Sequence, residues 1–137
     1  MAHWLVKSEP FKYSWQQMVK DKRTFWDGVR NYQASNNLKA MKLGEHAFFY
    51  HSNEGLNIVG IVEIVKEYYP DHTEESGRFG MVDVAPVKPV PNPVTLAEIK
   101  AEPKLANLAL VRQSRLSVVP VGEAEWKLLC KMGGVKD

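Results

Sequence analysis

The sequence predicts an α+β domain: a curled, mixed or largely antiparallel β-sheet flanked by short helices. Two stretches predict the sheet. Ala47-Phe48-Phe49-Tyr50-His51 is apolar at consecutive positions, as in a strand buried on both faces. Ile58, Val59, Ile61, Val62, Ile64 and Val65 crowd too many β-branched residues together for a helix to be preferred. The third observation is that short capped helices occur between strands without strict alternation, which argues against a doubly wound parallel sheet. With 137 residues, 45% hydrophobic and 25% charged, the chain has the composition of an ordinary globular protein and is read as one domain over residues 1–137.

Taken in order, His3 to Lys7 reads as the first strand. It is closed by Ser8-Glu9-Pro10, since a residue before proline is biased away from helix. Ser14 and Gln17 have the spacing of a capping box, and Trp15, Met18 and Val19 recur at helical spacing to about Asp21. Phe25 to Ala34 follows, a decapeptide too polar for core and too aromatic for an ordinary loop. Gly28 permits a turn there, Asn31 is a good N-cap, and Ala34, Leu38 and Met41 line one face of the helix that follows. Trp26 is expected on the turn, exposed or half-exposed, with Phe25 and Val29 as anchors.

The next two strands, Glu45–Ser52 and Asn57–Tyr69, are separated by the turn signal Asn53-Glu54-Gly55 and should pair as a hairpin in mid-sheet. Gly60, inside the second of them, suggests a close approach by a neighbour. Residues 70–80 form a polar loop carrying Phe79, and His72 with Asp71, Glu74 and Glu75 reads as a solvated acidic cluster. Met81 to Val87 is a fourth strand. The prolines at 86, 89, 91 and 93 then confine the chain to a sheet edge or an extended connection. Thr95 and Glu98 form a second capping box, Pro103 starts another short helix, Leu116–Val121 is a last strand, and Trp126, Leu129 and Cys130 face inward from a terminal helix.

Several classes of chemistry lack their signature. The four histidines have no ligand spacing among themselves, one cysteine cannot form a cysteine-based zinc cluster, and no serine lies in a nucleophile elbow. Neither glycine-rich nucleotide loop is present, so no metal and no cofactor is expected. There is no apolar run of membrane-spanning length, and Met1-Ala2-His3-Trp4 lacks the basic and apolar regions of a leader. The expectation is therefore a cytoplasmic protein without membrane contact; the oligomeric state is left open, with a monomer preferred. A net charge of +2 gives no general attraction to polyanions, so nucleic-acid binding has to rest on a local basic patch.

What remains is aromatic and polar. Trp26, Tyr32, Tyr50, Tyr68, Tyr69 and Phe79 lie in or beside turns and strand ends, and Lys7, Arg30, Lys66, Arg78, Arg112 and Arg115 could line the same rim. Aromatics that stack on a base, acids and amides that read its edge, and cations that hold phosphates are what recognition of an unpaired base requires. The alternative is that several of the aromatics are core. For Tyr50 and Tyr68 that reading is preferred; for Trp26 both stand.

Six segments, in order along the chain, resemble the EVE family. They are Trp4-Leu5-Val6-Lys7-Ser8-Glu9-Pro10, Trp26-Asp27-Gly28-Val29-Arg30-Asn31-Tyr32-Gln33-Ala34, Phe48-Phe49-Tyr50-His51-Ser52, Val65-Lys66-Glu67 with Tyr69-Pro70-Asp71, Met81-Val82-Asp83-Val84, and Arg112-Gln113-Ser114-Arg115-Leu116-Ser117. The resemblance implies a PUA-like fold, a barrel-like curled sheet flanked by helices. It also implies a reader of modified bases in DNA or RNA, 5-methylcytosine and 5-hydroxymethylcytosine among them. By similarity to the YTH readers of the same superfamily, Trp26 would be one wall of an aromatic cage. Ser8, Asp27 and Asn31 would read the base edge, with Tyr32 nearby and Tyr69 or Phe79 as the second wall. Lys7, Arg30, Lys66, Arg112 and Arg115 would hold the nucleic-acid backbone. Two other readings stay open: an enzyme acting on a modified base or small heterocycle with Asp27, Glu9 or His51 as acid or base, and a protein-interaction module.

Overall fold

Six strands form one open mixed sheet in a computed structural model that describes residues 2–135. The strands are β1 (His3–Ser8), β2 (Thr24–Phe25), β3 (His46–His51), β4 (Asn57–Pro70), β5 (Gly80–Thr95) and β6 (Val118–Val121). Their order across the sheet is β2-β5-β4-β3-β1-β6. The β3–β4 hairpin lies in mid-sheet as its sequence predicts, and β3 is buried at all four of its inner positions. β1 runs parallel to β3, and the other neighbours are antiparallel. A parallel pair needs a long crossover, which here carries α1 (Trp15–Asp21), β2 and α2 (Tyr32–Ala40).

Helices α3 (Leu96–Ala101), α4 (Ala109–Arg112) and α5 (Glu123–Met132) complete the chain, with one 3-10 turn at Pro103–Leu105. The caps follow the sequence with one change. Thr95 and Glu98 make the full reciprocal box. Ser14 accepts from the Gln17 N–H, but the Gln17 amide turns away and donates to Asp21 Oδ1 at 2.8 Å. The single helix expected after Pro103 is divided into the 3-10 turn and α4.

The proline-rich segment is strand rather than connection. β5 continues to Thr95 with Pro86 opposite Val62 and Pro89 opposite Gly60. Register shifts flank these pairs, and β2 covers only Asp83 and Val84 on the other side of β5. Beyond Val84 no second strand among the described residues pairs with it, so prolines are tolerated. At Gly60 the close approach is real: an added Cβ would lie 2.4 Å from the Trp15 ring.

Two buried groups tie the sheet together. The core runs through Leu5, Phe48, Phe49, Ile61 and Ile64 to Leu129 and Cys130 of α5. Glu45 is buried at the start of β3 and accepts from Trp4 Nε1 at 3.0 Å and from the Lys42 N–H at 2.8 Å. The sheet does not close. β2 and β1 are separated by β5, β4 and β3, yet residues of both line one cleft, so the sheet is strongly curled.

Candidate functional site

The parallel pairing of β1 and β3 brings their C-terminal ends together, with Ser8 opposite His51. The chain then makes a tight turn in which the Lys12 and Tyr13 N–H groups both donate to the Glu9 carbonyl at 2.9 Å. Between this turn and the far edge of the sheet lies a cleft of about 350 Å³. Lys7 and Ser8 line it from β1, Lys12 and Tyr13 from the turn, Thr24 and Phe25 from β2, and Trp26 and Asp27 from the residues just after β2. Three of the residues selected as base contacts, Ser8, Trp26 and Asp27, therefore meet in one place.

Trp26 does not stand out on a turn. Its N–H donates to Val82 O at 2.7 Å, extending the β2–β5 pairing by one residue, and its side chain is 9% exposed. The indole meets Phe49 edge-on, with centroids 5.6 Å apart at 87°. The expected half-exposed residue is instead a wall with its back in the core. Phe25, expected as an anchor, is the residue that points outward, 44% exposed and edge-on to His72 at 4.8 Å. Val29 is buried as expected.

The polar groups of the cleft have defined roles. Ser8 Oγ donates to the Tyr13 carbonyl at 2.6 Å, which leaves its lone pairs as the hydroxyl's offer to a ligand. Asp27 is exposed, and among the described residues its carboxylate has neither a hydrogen bond nor an ion pair. Burial pushes the Lys7 ammonium below its ordinary value, and its Nζ donates to Ser114 O at 2.9 Å. Burial and then its hydrogen bond to Asp21 push the Tyr13 hydroxyl up to about 12, so it is neutral at all working pH values.

The remaining selected residues are elsewhere. Asn31 Oδ1 caps α2 through the Ala34 N–H at 3.0 Å, and Asn31 lines a second depression with Arg112 and Arg115. Tyr32 is 60% exposed and packs on Phe79, with ring centroids 5.0 Å apart. Neither it nor Phe79 lines the cleft. Tyr69 donates its hydroxyl to Asp83, carries Lys66 Nζ 3.9 Å above its ring, and also lies outside the cleft lining. Burial and that bond push the Tyr69 hydroxyl up to about 12. Both residues selected as second wall are thus occupied in other contacts, and the further aromatics in the cleft are Tyr13 and Phe25. Arg30 is held by Asp71 at 3.1 Å and Thr73 at 3.0 Å rather than standing free for a phosphate.

Asp71 is the residue that sequence reasoning missed. It was expected in a solvated acidic loop, but it is 2% exposed. It accepts from the Gly28 N–H at 2.9 Å, from Arg30, and from the backbone and hydroxyl of Thr73. Gly28 presents that N–H from a left-handed conformation, φ +79°, with open space where a Cβ would be, so the glycine is there for its backbone rather than for room. Burial alone pushes the Asp71 carboxyl up. The bonds from Thr73, Gly28 and Arg30 outweigh it and hold the group at about 2. Asp71 thereby locks the segment after Trp26 against the 70–80 loop.

An open, curled, mixed sheet flanked by short helices is the PUA-like fold. The chain belongs to the EVE domain family, whose model matches residues 2–132. Chicken thymocyte nuclear protein 1 (Gallus gallus) is 40% identical, over 96% of this chain and 68% of that protein. A crystal structure of an Agrobacterium tumefaciens protein is 49% identical, with a TM-score of 0.96 over 98% of this chain and 94% of that one. The crystal structure of human THYN1 in complex with DNA containing 5-methylcytosine is 37% identical, with a TM-score of 0.91 over the whole of both chains. These relatives correct one expectation. The vertebrate proteins are named as nuclear, whereas the sequence reads as cytoplasmic; an ordinary globular composition does not separate those two compartments.

Proposed function

We propose that this chain is a non-enzymatic reader of a modified cytosine in DNA, taking the flipped base into the cleft between β1 and β2. The observation that carries the reading is the meeting of Ser8, Trp26 and Asp27 in one cleft of about 350 Å³, at the small end of ligand sites. The human relative in complex with 5-methylcytosine DNA supports the choice of base. The Trp26 indole serves as the stacking wall, held in place by Phe49. The Asp27 carboxylate accepts from the exocyclic amino group of cytosine. Ser8 Oγ, its own proton committed to Tyr13, accepts as well, so the edge contacts favour a base that presents an amino group over one that presents a carbonyl. Tyr13 and Phe25 supply apolar surface for a substituent at the 5-position.

One of the three groups that an enzymatic reading would need has a structural task, and a second is in a surface ion pair. His51 Nε2 accepts from the Trp15 N–H at 3.1 Å, and burial lowers its pKa. Glu9 is paired with Lys12 at 3.3 Å.

The test is Asp27→Ala, measured by titration with oligodeoxynucleotides carrying one 5-methylcytosine. Because Asp27 is exposed, its melting temperature should match that of the unaltered protein. Affinity should fall by about 1–3 kcal/mol, the worth of one good edge contact. Unchanged affinity overturns the role of Asp27, and any chemical change in the recovered oligonucleotide overturns the non-enzymatic reading.

A further inference from the structure

A second depression, about 330 Å³ in volume, lies between the start of α2 and the segment that leads from α4 into β6. Its lining includes Asn31, Gln33, Arg112, Gln113 and Arg115 and contains no acidic residue. Its two arginines have uncompensated charge. Arg112 Nη2 donates to the neutral Asn107 amide oxygen at 2.8 Å, and among the described residues Arg115 has no partner. By contrast Arg23, Arg30 and Lys12 are each neutralised by a carboxylate, at 2.8, 3.1 and 3.3 Å.

The depression is joined to the cleft through one side chain. Lys7 lines the cleft, and its Nζ donates to the carbonyl of Ser114, a residue that lines the depression. The Lys7 backbone N–H also donates to Ser117 O at 3.0 Å, which fixes the segment beside the end of β1. Asn37 Nδ2 bonds Val118 O at 2.7 Å and holds α2 against the other side of it. The walls are therefore anchored at both ends while the cations between them are not neutralised. An ammonium bonded only to a carbonyl keeps two further N–H donors and its full charge.

We propose that this depression is the phosphate track of the reader: the nucleic-acid backbone next to the flipped base passes over Lys7 and is held by Arg112 and Arg115. The inference rests on the base-reading function of the cleft and assigns the backbone contacts to one side of it. It also removes Arg30, which Asp71 neutralises, from the set of backbone cations selected in the sequence, and it leaves Lys66, over the Tyr69 ring, outside the track.

The test compares the unaltered protein with an Arg112→Gln/Arg115→Gln double variant against two probes. One is a single-stranded oligodeoxynucleotide with a central 5-methylcytosine; the other is the nucleoside 5-methyl-2′-deoxycytidine, which has no phosphate. Both arginines are exposed, so the variant should keep its fold, which the melting temperature checks. The expected result is oligonucleotide binding weakened by about tenfold or more. The slope of log affinity against log salt should shrink by about one to two, because two counterion-releasing contacts are lost. Nucleoside binding, followed by NMR shifts of the Trp26 indole, should be unchanged. Unaltered oligonucleotide affinity and salt slope overturn the track while leaving the cleft reading intact. Failure of the unaltered protein to bind either probe overturns the cleft reading, and the track with it.

Discussion

Replacing Trp26 by alanine is expected to lower folding stability by about 3–5 kcal/mol, the cost of truncating a buried aromatic. The side chain is 9% exposed and lies edge-on against Phe49, itself fully buried in mid-sheet, so truncation opens a cavity that reaches from the cleft into the core. Urea denaturation followed by circular dichroism measures the loss directly. Loss of nucleic-acid binding by this variant therefore does not separate a stacking role from a folding one. Trp26→Phe keeps an aromatic ring against Phe49 and should lose less stability while still weakening binding. A Trp26→Ala protein within about 1 kcal/mol of the unaltered one would place Trp26 outside the core.

The second large effect is expected at Asp71. Asp71→Ala removes the acceptor for Gly28 N–H, Arg30 and Thr73 together. Breaking a buried ion pair costs about 3–5 kcal/mol; the lower end applies here, because Arg30 remains 41% exposed and regains water. The pH dependence is specific. With its carboxyl held at about 2 against an ordinary 3.8, Asp71 contributes stability that is fully present above about pH 4 and lost as the pH falls towards 2. The shift corresponds to about 2 kcal/mol across that window. Asp71→Asn should be less stable at neutral pH and should lack that part of the acid-induced loss. An Asp71→Asn stability curve parallel to that of the unaltered protein between pH 4 and 2 would show that the clamp carries no net energy. The same variant should loosen residues 27–30, which amide hydrogen exchange reads.

Much of the fold is legible in the sequence because its signals are local. The β-branched run of β4, the consecutive apolar residues of β3, and the caps at Ser14, Asn31 and Thr95 each act within a few residues. β2 is not legible: two residues carry no periodicity, and Thr24–Phe25 is a strand only because β5 offers an edge at Asp83 and Val84. The far half of β5 is legible only as one of two alternatives: its prolines allow a sheet edge or an extended connection, and choosing between them needs the sheet order, a property of the whole chain.

The site divides in the same way. Ser8, Trp26 and Asp27 were selected, and the fold brings them to one cleft. Asp71 was misread because the sequence around it, His72 to Glu75, is as polar as a solvated loop. Its burial depends on Gly28 and Arg30, more than 40 positions away. Tyr69 and Phe79 are aromatic residues in the right part of the chain, but their partners, Asp83 for one and Tyr32 for the other, draw them out of the cleft. Tyr13, which does line it, follows a turn that reads only as a connection between strand and helix.

The most direct measurement is a crystal structure of this protein with an oligodeoxynucleotide carrying a single 5-methylcytosine. The expected result is a base turned out of its stack into the cleft, its plane against Trp26 and its amino group within about 3.2 Å of the Asp27 carboxylate. A base that stays stacked in the nucleic acid, or one bound away from Ser8, Trp26 and Asp27, would contradict the assignment of this cleft.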